Sequence, residues 1–173
     1  HFMTEIVTGA TENLEKCIRF LHTIGIKTGY HKNDAPSFLP GLTIENGMIL
    51  IDPDKLSFPG DILHEAGHIA VVPADERITL NAASIELRQQ RESEEMMAIA
   101  WSYAACIHLD IDPYFVFHED GYNGGGKFIA DNFKEKRYFG LPMLQWLGLC
   151  ADEKNAAELN IAPYPAMIKW LRD

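Results

Sequence analysis

The feature that most constrains this chain is the pentad His64-Glu65-Ala66-Gly67-His68. Histidines four positions apart lie one turn apart on the same face of a helix, so both imidazoles can reach one metal ion. The glutamate lies beside them, where it can accept a proton from a water molecule at the metal. The H-E-x-x-H pattern therefore predicts a helix that holds a catalytic zinc ion, with His64 and His68 as ligands and Glu65 as the catalytic base.

The sequence around the pentad predicts a buried helix over residues 58–72. Ser57 is its predicted N-cap, Pro59 lies in its first turn, and Pro73 ends it. The alternative interpretation is a pair of core histidines without a metal. That alternative would bury two imidazoles and a carboxylate without a partner, which costs free energy.

A catalytic zinc ion usually has three protein ligands and one open position, so the pentad needs a third ligand. Three glutamates, Glu92, Glu94 and Glu95, lie near the start of a helix that we predict over residues 85–109. The core-facing stripe of that helix is predicted to consist of Met96, Ile99, Tyr103, Cys106 and Ile107.

Helical periodicity separates the three glutamates. Glu95 lies beside the stripe, and the small residues Ala98 and Ser102 follow it on the same ridge, which permits close packing against the pentad helix. We predict Glu95 as the third ligand, with Glu92, which also lies beside the stripe, as the alternative. Glu94 points away from the stripe and is predicted to be a solvated residue of an acidic helix start.

The rest of the chain predicts further helices and one β-hairpin. Asn46-Gly47 separates the short apolar runs 42–44 and 48–51, which is a strong hairpin signal. Thr11 is predicted to cap an N-terminal helix, residues 31–41 a loop, and residues 74–83 a short strand or turn. The predicted fold class is α+β: a mostly helical domain with a small antiparallel sheet near the pentad helix.

One domain is expected over residues 1–173, with residues 128–171 forming two or three further helices in a C-terminal extension, residues 128–173. His1 and Phe2 precede Met3 and are interpreted as a cloning scar.

The net charge of −10 without a basic cluster argues against nucleic acid as a partner. No apolar run approaches the roughly 20 residues that span a bilayer, and three separated cysteines predict buried thiols. A cytoplasmic protein is expected.

Together, the hairpin, the pentad helix and the later glutamate resemble the ImmA/IrrE-type metallopeptidases, within the gluzincin group of zincins. In that family a short hairpin precedes the zinc helix, and a downstream E-x-x-A segment carries the third ligand. Here Glu95-Met96-Met97-Ala98 matches that segment, although Ile99 follows where the family usually has Asn. The resemblance covers residues 14–109 and implies a zincin-like fold, Zn²⁺ as cofactor and a peptide or protein substrate.

Three further residues could stabilise the oxyanion that forms during hydrolysis: His108, His118 and Tyr122. The alternative for each of these three residues is an ordinary loop or packing role.

The leading hypothesis for the function of the chain is a metallopeptidase. The alternatives are a zincin-like regulatory or binding module, with structural zinc or no turnover, that acts through the Trp-containing C-terminal third, and a hydrolase of non-peptide amides or esters. The ligand types would also accept Mn, Fe or Co.

Overall fold

The computed structural model describes residues 2–32 and 39–173. Its helices and strands, in chain order, are α1 (Phe2–Ile24), β1 (Thr28–Tyr30), β2 (Leu42–Glu45), β3 (Met48–Ile51), α2 (Asp61–Ala70), α3 (Ala74–Arg77), α4 (Ala82–Glu86), α5 (Arg91–Leu109), α6 (Gly126–Lys134), α7 (Leu141–Trp146) and α8 (Glu153–Leu159). Short 3₁₀ turns lie at Pro113–Phe115 and Tyr122–Gly124. The predicted α+β class, mostly helical with a small sheet, is confirmed.

The predicted hairpin is confirmed, and it is part of a larger sheet. β2 and β3 pair antiparallel, and Asn46 and Gly47 between them both have positive φ, as a two-residue hairpin turn requires. The predicted small antiparallel sheet has one further strand, which makes it mixed: β1 pairs parallel to the other edge of β3. Three residues give too short a pattern for β1 to be recognised in the sequence. Of the predicted loop over 31–41, residues 33–38 lie outside the described residues.

Helix α1 begins earlier than predicted. Thr11 lies in the middle of α1 and is therefore not its N-cap. A threonine marks a helix start only where the preceding residues are not helical, and here they continue the helix. The predicted inner face is confirmed: Cys17 and Leu21 are fully buried, and Leu14 and Ile18 pack against the core.

Helix α2, which carries the pentad, lies at the centre of the molecule. It begins after Gly60 rather than Ser57, so the predicted cap and the predicted length of the helix are wrong. Gly60 approaches the Phe115 carbonyl so closely that a Cβ atom would lie 1.8 Å from its oxygen. Only glycine fits at this N-cap position, and the helix starts there without a capping side chain.

Helix α5 packs directly across α2, as the small residues predicted. A Cβ atom on Gly67 would lie 2.8 Å from the carbonyl oxygen of Ala98. The Ser102 hydroxyl lies 2.6 Å from the Ala98 carbonyl oxygen in its own helix and 3.1 Å from the Leu63 carbonyl oxygen of α2, so its proton is shared between the two helices. These contacts hold the two backbones close together and set the separation of the side chains on either helix.

Two helices replace the single helix predicted over residues 85–109. α4 is capped by Asn81, whose side chain accepts a hydrogen bond from the Ser84 amide, and the chain turns through residues 87–90 before α5. Of the short strand or turn expected at 74–83, the turn is confirmed at residues 78–79, and it lies between α3 and the start of α4. Met96 and Ile107, predicted to face the core, are 39% and 45% exposed. Residues 97–106 are buried throughout, because other elements cover α5 on several sides, so one stripe does not describe its contacts.

Beyond α8 the chain packs back over α5 without regular structure. The indole N–H of Trp101 donates to the Trp170 carbonyl at 2.9 Å, and the Tyr164 hydroxyl donates to the Ala100 carbonyl at 2.7 Å. The three cysteines are free and buried, as predicted. In the described part of the chain, every helix is too short or too polar to cross a membrane.

Candidate metal centre

The two pentad histidines and Glu95 converge at the surface between α2 and α5. His64 Nε2 lies 3.3 Å from one carboxylate oxygen of Glu95, and His68 Nε2 lies 2.7 Å from the other. The two Nε2 atoms are 3.2 Å apart. One donor atom from each residue lies within 4.8 Å of the other two, so the group could hold a metal ion.

The spacing of these donors fits a small tetrahedral ion. Ligands at about 2.0–2.1 Å from such an ion lie about 3.3 Å from each other. The separations of 3.3 Å and 3.2 Å from His64 Nε2 are close to this value, whereas His68 and Glu95, at 2.7 Å, are at hydrogen-bond distance and would move apart slightly around an ion. Burial would raise the pKa of Glu95, but hydrogen bonds from His64 and His68 outweigh it and hold that pKa well below its usual range. The carboxylate is therefore ionised, as a metal ligand must be.

The structure distinguishes the three glutamates of the α5 start. Glu95 joins the histidines, whereas Glu92 is exposed and outside the cluster. The expectation for Glu94 is wrong: its residue is only 4% exposed, and the Arg88 guanidinium donates to its carboxylate at 2.7 Å. The turn at residues 87–90 brings Arg88 back over the first turn of α5, a tertiary contact that helical periodicity does not contain.

His64, His68 and Glu95, here called the triad, line a cleft of about 540 Å³. The cleft is lined by Leu39, Pro40, Phe58, Asp61, His64, Glu65, His68, Ala82, Ile85, Glu86, Arg91, Glu95, His118, Asp120, Gly121, Tyr122 and Asn123. Glu65 is among them, and burial raises its pKa to about 7, with His68 opposing that rise. A carboxylate with a pKa near neutrality can both take up and release a proton at physiological pH.

A second polar pair forms one wall of the cleft. His118 Nε2 lies 2.7 Å from Asp61 Oδ1, and the His118 ring stacks on Phe58 at a centroid distance of 4.0 Å. Burial raises the pKa of Asp61, and the hydrogen bond from His118 opposes this rise. Asp61 was missed in the sequence, although it precedes His64 and Glu65 by three and four positions and so lies on the same helical face.

Of the three residues considered for oxyanion stabilisation, two line the cleft. His118 does so through the pair with Asp61, and Tyr122 places its hydroxyl 3.0 Å from His64 Nδ1. His108 lies elsewhere: it is an exposed residue whose ring packs against Phe20 and Trp170, at centroid distances of 5.4 and 5.2 Å. It is a packing residue.

Comparison with known proteins gives this site no named relative. No protein-family model, curated protein or solved structure matches the chain. The resemblance to ImmA/IrrE-type metallopeptidases therefore remains a prediction that depends on the pentad, the hairpin and the E-x-x-A segment.

Proposed function

We propose that this protein is a zinc-dependent hydrolase that cleaves peptide bonds. The observation that carries the proposal is the convergence of His64, His68 and Glu95 beside a cleft that Glu65 also lines. Two imidazoles and one carboxylate are a common ligand set of catalytic zinc, and three ligands leave one position open. A purely structural zinc site would need a fourth protein ligand and no adjacent base.

Each residue of the centre has a separate task. His64, His68 and Glu95 would hold the ion. Bound there, zinc would polarise the substrate carbonyl and lower the pKa of a water molecule. Glu65 accepts a proton as the water oxygen attacks the carbonyl carbon, and delivers it to the amine nitrogen as the C–N bond breaks. The pKa of about 7 suits Glu65 for both transfers.

The cleft supports a peptide as substrate. Its walls combine apolar side chains, such as Leu39, Phe58 and Ile85, with polar groups at the triad. A volume of about 540 Å³ is within the usual range for ligand pockets. Such a cleft can hold a few residues of an extended chain by apolar contacts while one carbonyl group faces the metal ligands.

Metal content tests the centre first. Protein purified without added metal should contain about one zinc ion per chain. His64→Ala and Glu95→Gln should lower that content strongly, and Glu92→Gln, a matched change one turn away on α5, should not. Wild-type protein that is metal-free and takes up no added zinc would contradict the proposal.

Turnover is tested separately with a peptide library and mass spectrometry. Cleavage products that appear with wild type and disappear with Glu65→Gln would support hydrolysis at this centre. Products that persist in Glu65→Gln would come from another source or another base. Zinc binding without any cleavage would favour a regulatory or binding module instead.

One observation favours that second candidate. Trp146 is 89% exposed at the end of α7, and Leu159 and Ile168 in the same C-terminal third are also exposed. Large apolar side chains that together form one continuous surface patch are typical of contacts with another protein. Trp146→Ala would then abolish a partner interaction while zinc content stays unchanged.

A further inference from the structure

The orientation of His64 depends on a residue far from it in sequence. Nε2 of His64 points to Glu95 and His68, so Nδ1 points to the opposite side of the ring. There the Tyr122 hydroxyl lies 3.0 Å away, and the two rings meet edge to face at 89°. Tyr122 is thus the hydrogen-bond partner of Nδ1, the ring nitrogen of His64 that does not face Glu95 and His68.

The direction of that hydrogen bond follows from what the other nitrogen does. A neutral imidazole whose Nε2 binds a cation carries its proton on Nδ1, so Nδ1–H then donates to the Tyr122 oxygen. In the other tautomer the Tyr122 hydroxyl donates to Nδ1, and Nε2–H faces Glu95 at 3.3 Å. A phenol serves either form, because it is both donor and acceptor, whereas a phenyl ring serves neither.

The backbone around Tyr122 is held in an unusual conformation. Tyr122, Asn123 and Gly124 have φ values of 57°, 56° and 84°, a left-handed run that is unfavourable for the two residues with side chains. Gly121 N–H donates to the His118 carbonyl at 3.1 Å, which anchors the start of this run. Such strain persists where the surrounding structure holds it, and it clusters at functional sites.

We propose that Tyr122 is a positioning residue of the metal centre, which holds the His64 ring so that Nε2 faces the ion. The inference rests on the metal centre of the proposed function. Its evidence is the hydrogen bond to Nδ1, the edge-to-face ring contact and the left-handed loop that presents the hydroxyl. Removal of the hydrogen-bond partner of a metal-ligating histidine typically weakens metal binding by roughly 10- to 100-fold.

The test is the zinc dissociation constant, measured by competition with a chromophoric chelator. Tyr122→Phe should weaken zinc binding by about 10- to 100-fold. Tyr164→Phe is the matched control, because it removes the hydroxyl of a buried tyrosine that bonds to the Ala100 carbonyl instead. It should leave zinc affinity unchanged, so a general loss of stability cannot imitate the expected result.

A second readout follows the tautomer directly. In zinc-loaded wild type labelled with ¹⁵N-histidine, His64 should show a protonated Nδ1 protected from exchange, and Tyr122→Phe should lose that protection. Equal zinc affinity and equal protection in Tyr122→Phe and wild type would overturn this role alone. Wild type that binds no zinc would overturn the metal centre, and this role with it.

Discussion

The α2–α5 pair has two sides that differ in polarity and in access to water. The cleft side carries His64, Glu65, His68 and Glu95, and it buries polar groups beside open space. The core side carries Leu63, Gly67, Ala98, Trp101 and Ser102, and it excludes water. One pair of helices therefore holds reactive groups on one side and the contacts that fix their positions on the other.

This difference shows that the free-energy cost of burying a charged group falls on the cleft side. Burial raises the pKa of Glu65 to about 7, so the cleft side holds a carboxylate that water would stabilise better. On the core side the polar atoms have partners, as in the bonds from Ser102 to Leu63 and from Trp101 to Trp170. Stability from the core side offsets the cost of the cleft side.

Glu65→Gln should give the largest effect, a loss of turnover, and this effect should be confined to the cleft side. Without a proton acceptor, turnover should fall by about 10²–10⁴-fold, while zinc content stays as in wild type. Activity, metal content and thermal unfolding of the same preparation are the measurements. Glu92→Gln serves as the control, and equal activity of the two variants would remove Glu65 from the mechanism.

Trp101→Ala should affect the core side. Trp101 is fully buried, so its loss should lower the free energy of unfolding by about 3–5 kcal/mol. Denaturant unfolding measures this, with Trp146→Ala as control, because the exposed Trp146 should cost no more than about 0.5 kcal/mol. Similar losses in both variants would mean that the core does not lie where the structure has it.

Gly67→Ala should break the separation of the two sides. The new Cβ atom would lie 2.8 Å from the Ala98 carbonyl oxygen, so the helices must move apart. We expect a loss of about 1–3 kcal/mol in the free energy of unfolding. Zinc should also bind more weakly, because the histidines and Glu95 lie on different helices.

Gly9→Ala is the control for that change, because among the described residues, apart from its chain neighbours and the backbone of α1 itself, no atom lies within 4 Å of the position of its Cβ. Alanine there should raise stability by about 0.5–1 kcal/mol, since glycine is unfavourable within a helix. If Gly67→Ala also stabilised the protein and left zinc affinity intact, the close contact between α2 and α5 would be refuted.

The smallest expected effect concerns pH and a core thiol. Burial raises the pKa of Cys17 from 9.0 to about 12, so the folded protein keeps a proton that the unfolded chain releases. Stability from this thiol is therefore complete below pH 9 and is lost as pH rises from 9 to about 12. Between pH 8 and 9.5 the loss should be about 0.8 kcal/mol. Urea unfolding of wild type and Cys17→Ala across this interval measures it, and identical pH slopes would contradict the burial of Cys17.

Much of the site could be predicted because local periodicity encodes it. Four-residue spacing placed His64 and His68 on one helix face, and the small residues Ala98 and Ser102 indicated the close approach that brings Glu95 to them. Likewise, Asn46-Gly47 defined the hairpin, since both residues tolerate positive φ. The helix face and the hairpin turn are each specified within a few residues, and the small residues on α5 identify the side of that helix that can approach α2.

The features that were missed depend on contacts between distant segments. Glu94 is buried because Arg88 folds back over it, and Asp61 meets His118, which lies 57 positions further along the chain. The break before α5 follows from the same fold-back of residues 87–90. No helical or strand period contains such information, so the sequence alone could not locate these pairs.

The far end of α2 depends on residues synthesised much later. Arg172 donates from its backbone amide to the Ala70 carbonyl and from its side chain to the Val71 carbonyl, at 2.9 and 3.1 Å, 102 and 101 positions apart in sequence. During translation, the carbonyl groups at the end of the pentad helix therefore lack these partners until residue 172 has left the ribosomal exit tunnel. The hairpin and α2 are therefore synthesised well before the residue that pairs with the last carbonyl groups of α2.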